Sequence, residues 1–474
     1  MPPSLGREPR LVLNARGVSD PSSVVDVVVC GAGMGGLVAA IAALEDGASV
    51  LVVEKGAEPG GSLALSGGYV WTFPTFREYT RFVPNGDQDL GRILVEDFAT
   101  GVEWLVDHQV RLGAPVDGLG PDRAGSGFRI EPDPVSGAVE PMVKAVLDLG
   151  GAIECSTRVV RLEQDEDGRV VGACVRNAAG TRVVRCNSVI LATGGFQGDA
   201  ELMARHVSQW SDRALLRASA SSTGDGLRLA LTAGAATSRA LNAVYAHVMP
   251  KLDRPLDAGG FRALTQFYVE ECLLLNLDGV RFVDESRGDA LCGLELLRQR
   301  EAAGFIVLDE ERHRGSVMEP FVPDMMRSDP LAAVRSAGGN VIVAESLDEL
   351  CQRLAGFGVP PMSALTTISG FDAAAEAGVP DALPVPRERG LHTCRQAPFY
   401  AIQVIPGVTF TEGGIRVNSE AQALDRDDRP VRGLFVAGVD VGAISNTGYA
   451  GALSAALITG LRAGIHAARA GVPA

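Results

Sequence analysis

The chain has 474 residues and a formal net charge of −15, from 43 Lys and Arg against 58 Asp and Glu. That length can bury a large core and predicts two domains, and the acidic balance argues against a nucleic-acid partner, because phosphate binding needs clustered cations. The sequence has no run of 18 or more apolar residues, so we expect no membrane span.

The N-terminus lacks the charged and then apolar pattern of a secretory signal, and we expect residues 1–24 to form a loose arm. The eight cysteines are scattered singly, without a C-x-x-C or C-x-x-C-H motif. This argues against a metal site, an iron–sulfur cluster or attached haem. Reduced core thiols and a cytoplasmic location are therefore expected.

The stretch from Val24 to Glu54 predicts a strand, a glycine turn, a helix and a second strand. Asp26–Cys30 is apolar after its first residue, as in a buried strand of a parallel sheet. A G-x-G-x-x-G turn then opens the helix Leu37–Leu44, and the strand Ser49–Val53 ends at an acidic residue about 20 positions on, where a ribose hydroxyl needs an acceptor. The residues predicted to bind a dinucleotide here are Gly31, Gly33, Met34, Gly35, Gly36 and Glu54.

Each part of this turn has a physical role in holding a pyrophosphate. The first glycine permits the tight turn, the second lets backbone N–H groups approach the phosphates, and the third lets the helix pack close to the strand. The helix N-terminus adds free N–H groups and the positive end of its dipole.

A second glycine-rich segment, residues 52–68, indicates which dinucleotide is bound. Nicotinamide enzymes need no second glycine cluster here, whereas FAD lies across the domain and does. The segment VVEKGAEPGGSLALSGG resembles the FAD domain of the fumarate reductase and 3-ketosteroid Δ1-dehydrogenase flavoprotein superfamily, and the resemblance continues through most of the chain. It implies an α/β fold with a Rossmann-like FAD-binding domain of the glutathione reductase type and an inserted α+β capping domain.

The resemblance also predicts the domain bounds. After the arm at 1–24, we expect the first part of the FAD-binding domain at 25–237, a capping or substrate domain at 238–397, and the second part of the FAD-binding domain at 398–474. The FAD is expected to be held without a covalent bond, because superfamily members that attach flavin use a histidine in the segment that corresponds to 60–65, and none occurs there.

Further elements follow from periodicity and turn residues. The predicted helices are Leu90–His108, Glu140–Leu149, Leu227–Ala233 and a last one from Leu453 to about Ala468. The predicted strands are Ala152–Cys155, Val159–Gln164, Val170–Arg176, Thr181–Cys186, Ser188–Leu191, Gly433–Asp440 and a hairpin of Leu273–Asn276 with Val280–Asp284.

The resemblance implies further contacts to FAD along these elements, including an A-T-G-G turn, a T-G-D-G helix start and the N-terminus of the last helix. No second G-x-G-x-x-G with a following acidic residue appears, so the electrons are expected to pass to an acceptor such as oxygen, a quinone or a dye rather than to NAD(P)H. The implied cofactor residues are Lys55, Gly60, Gly61, Ser62, Ser66, Gly67, Gly68, Val159, Ala192, Thr193, Gly194, Asp225, Gly438, Asp440, Ala452 and Leu453.

Comparison with the two branches of the superfamily predicts the substrate. Fumarate reductases grip carboxylates with a histidine that falls at Phe410 here and an arginine that falls at Tyr449. Without these cations a dicarboxylate would be costly to bind, whereas a neutral, apolar ketone would not. Tyr449 also resembles the tyrosine of ketosteroid dehydrogenases that holds the ketone oxygen together with a backbone amide, here near Leu453.

The predicted reaction is α,β-desaturation of a ketone, with the α-proton going to a residue just after the cap hairpin and the β-hydride to flavin N5. Arg287 has the position nearest to the proton-handling arginine of fumarate reductases, while Asp289 and Tyr268 are alternative bases. His247 is interpreted as structural. Two other functions stay open: an ene-reductase acting on an activated double bond, and a flavin-binding protein without turnover.

Overall fold

The computed structural model describes residues 12–14, 24–253, 256, 258–321 and 327–470. The predicted N-terminal arm lies largely outside the described residues. The chain divides into two compact units: unit 1 comprises Met1–Asp199, Ala218–Leu241 and Thr411–Ala474, and unit 2 comprises Ala200–Arg217 and Asn242–Phe410. None of the helices described is both long enough and apolar enough to cross a membrane.

Strands and helices are numbered along the chain. The strands are β1 Val12–Asn14, β2 Val25–Cys30, β3 Val50–Val53, β4 Tyr69–Thr72, β5 Leu112–Leu119, β6 Gly125–Ile130, β7 Ala152–Glu154, β8 Arg158–Gln164, β9 Val170–Asn177, β10 Gly180–Leu191, β11 Leu215–Leu216, β12 Val244–Pro250, β13 Leu273–Asn276, β14 Gly304–Asp309, β15 Val341–Ala344, β16 Phe399–Thr411, β17 Gln422–Leu424 and β18 Pro430–Val436. The α-helices are α1 Met34–Glu45, α2 Phe76–Phe82, α3 Gln88–Glu96, α4 Phe98–Asp107, α5 Glu140–Asp148, α6 Ala200–His206, α7 Asp225–Thr232, α8 Ala258–Ala263, α9 Asp289–Arg298, α10 Glu310–Arg314, α11 Pro330–Ser336, α12 Leu347–Leu354, α13 Pro361–Ala377 and α14 Ala452–Arg469.

Unit 1 is built on a mostly parallel sheet with the order β1-β7-β3-β2-β10-β18-β17. Val28 pairs with Leu51 of β3 on one side and with Val189 of β10 on the other, both in parallel. These strands are buried, which explains their unbroken apolar sequences. Because parallel strands end at a common edge, the turns after β2, β3, β10 and β18 meet there, and this is where such sheets bind ligands.

Close packing of α1 against α14 depends on two glycines of α14. A Cβ at Gly460 would lie 2.8 Å from the carbonyl oxygen of Gly35, and one at Gly464 would lie 2.4 Å from that of Ala39. The two helices run parallel, since each step of four residues along α14 matches a step of four along α1. Any larger side chain at these positions would force the helices apart.

Unit 2 contains a second sheet with the order β11-β16-β14-β13, and β12 and β15 also pair with β16. Successive side chains of β14 point to opposite faces of the sheet, as in any strand, and so pack into two different hydrophobic clusters. Phe305 and Val307 belong to a cluster that includes Phe371 of α13, whereas Ile306 and Leu308 belong to a cluster on the other face. The sheet is therefore buried on both faces.

The structure confirms the α/β fold class and corrects three predicted elements. The predicted helix Leu90–His108 is two helices, α3 and α4, which meet at Asp97. Residues 181–186 and 188–191 form one continuous strand, β10. The second arm of the predicted hairpin is not a strand: only an isolated bridge joins Leu275 to Arg281, because the Glu285 carboxylate accepts the Leu274 N–H and also binds Arg281.

Unit 2 has two segments, whereas the insertion was predicted as the single stretch 238–397: its main segment is Asn242–Phe410, and an earlier segment joins it. Ala200–Arg217 belongs to it because β11 pairs in parallel with β16, where Leu215 lies opposite Gly407. The unit also continues to Phe410, because β16 is hydrogen-bonded to β14 along six residue pairs. Both ends of unit 2 depend on pairing between strands that are far apart in the sequence, and such pairing leaves no local sequence signal.

Candidate active site

The glycine turn after β2 has the geometry that the sequence predicts for a phosphate-binding loop. Gly31 has φ of +109°, and a Cβ there would lie 2.2 Å from the carbonyl oxygen of Ala192. A Cβ at Gly36 would lie 1.9 Å from the carbonyl oxygen of Gly31. Both positions therefore require glycine, the first for its backbone conformation and the second for close packing of α1.

Gly33 differs from these two glycines because the space above it is open. The nearest atom to a Cβ at Gly33 is the Gly60 carbonyl oxygen, at 3.9 Å, and Gly61 of the second glycine cluster approaches Gly33 from the side. The Gly60 N–H donates to the Ala32 carbonyl at 2.7 Å, which holds the two clusters together. The cradle at the N-terminus of α1 thus suits a pyrophosphate.

Glu54 is buried at the end of β3, next to this cradle. Its Oε2 accepts the Ala32 N–H at 2.8 Å, and its Oε1 accepts the Gly56 N–H at 2.5 Å. The carboxylate therefore fixes the glycine turn as well as lying where a ribose hydroxyl is expected.

We predict that Glu54→Gln weakens FAD binding about 10- to 100-fold, because charge-assisted hydrogen bonds of a carboxylate contribute roughly 1.5–3 kcal/mol. Titration of the apoprotein with FAD, followed by flavin fluorescence, measures the effect. Glu58→Gln, at an exposed position of the same loop, removes the same charge and should bind FAD like the parent. Unchanged FAD affinity in Glu54→Gln would show that the carboxylate does not serve the cofactor.

Lys55 and Asp225, two predicted cofactor residues, contact each other. Asp225 is buried at the start of α7 and accepts from Lys55 Nζ at 3.0 Å and from Arg158 Nη2 at 2.6 Å. Lys55 also donates to Thr223 Oγ1 at 2.7 Å. Val159 is buried in β8 beside Arg158. The T-G-D-G helix start is therefore tied to the end of β3.

The A-T-G-G turn meets the turn after β18 through Asp440. This carboxylate is buried and accepts hydrogen bonds from the Thr193 N–H and hydroxyl and from the Gly195 N–H. Burial raises the pKa of Asp440, and these hydrogen bonds oppose the rise. Thr193 Oγ1 also accepts the Gly226 N–H at 2.9 Å, so three separate predicted segments converge at one point.

The remaining predicted cofactor residues of unit 1 lie around the same turns. A Cβ at Gly35 would lie 2.9 Å from Gly438 N, so the start of α1 touches the turn after β18. Ser62 Oγ accepts the Ser219 N–H at 3.1 Å, and Ser66 Oγ accepts the Gly68 N–H at 3.1 Å. Met34 is buried in the first turn of α1, Gly67 is exposed, and Gly194, Ala452 and Leu453 are partly accessible.

Tyr449 lies in the loop before α14, packed edge to face on Trp71 with ring centroids 5.2 Å apart. Its hydroxyl oxygen accepts the Ala452 N–H at 3.2 Å and is hydrogen-bonded by Trp71. Burial raises the pKa of Tyr449, so the phenol is protonated at neutral pH and has a hydrogen to donate. Tyr449 is thus linked to the predicted cofactor residue Ala452 at the start of α14.

The backbone path of this loop depends on Gly451 and Glu412. Gly451 has φ of +88°, and a Cβ there would lie 1.9 Å from the Trp71 carbonyl oxygen. The buried Glu412 carboxylate accepts the Thr447 N–H at 2.7 Å. Burial raises the pKa of Glu412 to about 7, and the Thr447 hydrogen bond lowers it. The sequence did not predict that Glu412 holds this loop, since the carboxylate and the Thr447 N–H are 35 residues apart.

In unit 2 the structure brings His247 and Asp289 together. His247 Nδ1 lies 2.5 Å from Asp289 Oδ2, and both residues are buried. Burial raises the pKa of Asp289 to about 7, although the Arg217 charge and backbone N–H groups lower it. Gly293 makes this pairing possible: a Cβ there would lie 2.9 Å from backbone atoms of Ala246 and His247, so α9 lies directly on β12.

The structure separates the three predicted proton-handling residues. Arg287 has an exposed side chain. Tyr268 is buried in the core of unit 2 and donates its hydroxyl hydrogen to Gln266 Oε1 at 2.5 Å. Burial raises the pKa of Tyr268 well above its usual value, which makes it a poor base at neutral pH. Of the three, Asp289 is the one paired with a histidine, and the sequence did not indicate that His247 is its partner.

Three comparisons with known proteins show the family to which this chain belongs. The family model for the FAD binding domain matches residues 26–453. The chain is 27% identical over 474 residues to the "probable fumarate reductase Ifc3" of Shewanella frigidimarina, covering 95% of this chain and 76% of that protein. It is 26% identical over 494 residues to the "vinyl phenol reductase" of Lactiplantibacillus plantarum, covering 94% and 96%.

A solved structure shows the same fold at full length. The 3-ketosteroid-delta4-(5alpha)-dehydrogenase of Rhodococcus jostii RHA1, in complex with 4-androstene-3,17-dione, matches with a TM-score of 0.73 and 22% identity, over 96% of this chain and 99% of that one. FAD as cofactor and the predicted superfamily are thus confirmed. The chain belongs to the FAD binding domain family and is an FAD-dependent oxidoreductase, similar in sequence to fumarate reductases and in fold to a ketosteroid dehydrogenase.

Proposed function

We propose that this oxidoreductase desaturates the Cα–Cβ bond next to a ketone. The observation that carries the proposal is the buried pair of His247 and Asp289, because a carboxyl group with a pKa of about 7 can exchange a proton at neutral pH. Such a group suits the removal of an α-proton, the step that a flavin cannot perform.

Three residues have separate roles in this proposal. The Tyr449 hydroxyl donates a hydrogen bond to the ketone oxygen, which makes the α-hydrogen more acidic. The Asp289 carboxylate accepts the α-proton. His247 orients that carboxylate through Nδ1 and does not itself take the α-proton. FAD, when bound, supplies the acceptor for the β-hydride.

Reduction of an activated double bond is the second candidate function, and the same pair of residues supports it. At a pKa of about 7 a share of Asp289 is protonated at neutral pH and can donate a proton to carbon in the reverse direction. The similarity to the fumarate and vinyl phenol reductases also favours this direction. The acceptor or donor of electrons is proposed to be oxygen, a quinone or, in the assay, a dye.

We predict that cyclic ketones or 3-ketosteroids bleach the flavin absorbance of the anaerobic enzyme, whereas fumarate and succinate neither react nor inhibit at micromolar concentration. By the resemblance, Phe410 and Tyr449 correspond to carboxylate-binding cations of the fumarate reductases, so two carboxylates would lack those partners. A panel of ketones with an artificial acceptor dye measures the forward reaction. Pre-reduced enzyme with enones tests the reverse reaction.

The outcomes separate the candidate functions. Bleaching by a ketone supports desaturation, and reoxidation by an enone without bleaching by any ketone supports the reductase. Micromolar inhibition by a dicarboxylate would overturn the proposed substrate class. Retained flavin colour with no response in either direction would indicate a flavin-binding protein without turnover.

A further inference from the structure

A second charged residue of unit 2 lies near the His247–Asp289 pair and has no assigned role. Arg217 ends the segment that contains β11, and its backbone N–H donates to the Val408 carbonyl at 2.8 Å. Its side chain lies against Gly407, where a Cβ would approach Arg217 Cδ to 2.6 Å. The glycine in β16 therefore leaves room for this side chain.

The guanidinium of Arg217 is buried with most of its hydrogen-bonding capacity unused. Among the residues that the structure describes, Nε and Nη1 have no hydrogen-bond partner, although both atoms are buried. Nη2 donates to the Phe261 carbonyl, at the long distance of 3.3 Å. Unsatisfied buried N–H groups on a cation are costly, so a fold retains them where a ligand completes them.

The surroundings of Arg217 show what kind of ligand fits. Burial lowers its pKa, while the Tyr245 and Asp289 charges raise it, which places all three groups within electrostatic range. The aromatic ring of Phe261 lies 5.8 Å from the guanidinium carbon, and Tyr245 packs on Phe410 at 5.2 Å. A cation among aromatic rings suits an anion attached to an apolar body better than a strongly hydrated free ion.

We propose that Arg217 binds a carboxylate of the substrate, so that among ketones the enzyme favours an oxo acid with one carboxylate and an apolar ring or chain over a neutral ketone. The substrate class rests on the proposed ketone desaturation, whereas the carboxylate site itself does not. One cation accounts for one carboxylate, and dicarboxylates remain excluded. Sequence reasoning missed Arg217 because the residue lies in no motif.

The test uses probes that cannot react, namely cyclohexanecarboxylate and its neutral counterpart cyclohexanecarboxamide. Isothermal titration calorimetry on the FAD-loaded enzyme should show the acid binding about 10-fold or more tightly than the amide, the usual strength of charge-assisted hydrogen bonds. Arg217→Gln should abolish that preference. Arg353→Gln removes an exposed arginine of the same unit and should preserve it.

Two further measurements guard against a misfolded variant. Removing a buried cation that lacks partners should leave the thermal midpoint of Arg217→Gln at or above that of the parent. Arg217→Lys keeps the charge but loses the planar fork, and should retain only part of the preference for the acid. If Arg217→Gln does not fold, an unchanged preference in Arg217→Lys overturns the proposal.

The other outcomes are decisive as well. A parent enzyme that binds acid and amide equally, or an Arg217→Gln enzyme that still prefers the acid, overturns the proposal. The proposal is also overturned if Arg217→Gln changes only the pH profile of flavin reduction. Arg217 would then act by lowering the pKa of Asp289 and not by binding substrate. If the preference depends on Arg217 but no ketone bleaches the flavin, the carboxylate site stands and only the proposed reaction fails.

Discussion

Asp289→Asn is expected to slow flavin reduction by a saturating ketone about 100-fold or more, the usual contribution of a positioned base. Asparagine keeps the size of the side chain and can still contact His247, but it cannot accept the α-proton. Ketone affinity should change little, since the carboxylate is proposed to act on a proton rather than to hold the substrate. Stopped-flow absorbance of the flavin measures this single step.

The pH dependence of the parent gives an independent check on this assignment. The proposed base acts in its ionised form, and burial raises the pKa of Asp289 to about 7. The rate of flavin reduction should therefore rise as the pH increases through about 7 and then level off, and this rise should disappear in Asp289→Asn. Arg287→Gln, which changes an exposed side chain, is the paired comparison. If Arg287→Gln reduces its flavin slowly and Asp289→Asn reduces it as fast as the parent, the proton goes to Arg287.

Tyr449→Phe is expected to weaken ketone binding and to slow flavin reduction, by about 10-fold or more in each. The hydroxyl serves an oxygen that is present in the bound substrate and gains charge as the α-proton leaves, so both properties depend on it. The variant also loses the hydrogen bond from the Ala452 N–H. Stopped-flow reduction over a range of ketone concentrations separates affinity from rate.

A ligand without a ketone oxygen provides the control for Tyr449→Phe. If the substitution merely disturbs the loop before α14, a hydrocarbon analogue of the ketone should also bind more weakly. Equal binding of that analogue to parent and variant, together with weaker binding of the ketone, assigns the effect to the hydroxyl. A variant that binds and oxidises the ketone like the parent would remove Tyr449 from the proposed mechanism.

The FAD-binding half of the molecule was largely predictable from sequence because its signals are local. The turn from Gly31 to Gly36 needs glycine for steric reasons that act within a few residues, and the unbroken apolar strands show their burial directly. Glu54 follows at the expected spacing. Even the convergence of Thr193 and Asp440, far apart in sequence, follows from the common edge at which parallel strands end.

The candidate proton-handling residues were harder to predict because they are selected by packing. Arg287 and Asp289 are two residues apart, yet one is exposed and the other is buried at the start of α9. His247 meets Asp289 only because Gly293 allows α9 to lie on β12. Arg217 enters unit 2 through a two-residue strand that pairs with distant β16. Such contacts leave no periodic or motif signal in the sequence.

The glycine contacts between α1 and α14 fix how far the two helices are shifted along each other in unit 1. Because Gly460 touches Gly35 and the helices run parallel, α14 starts about 10 Å before α1 along their common direction. The spacing between the phosphate turn and the Tyr449 loop is therefore set by the number of residues before Gly460. One residue added to the first turns of α14 would rotate and shift Tyr449 while the glycine turn at the start of α1 stays in place.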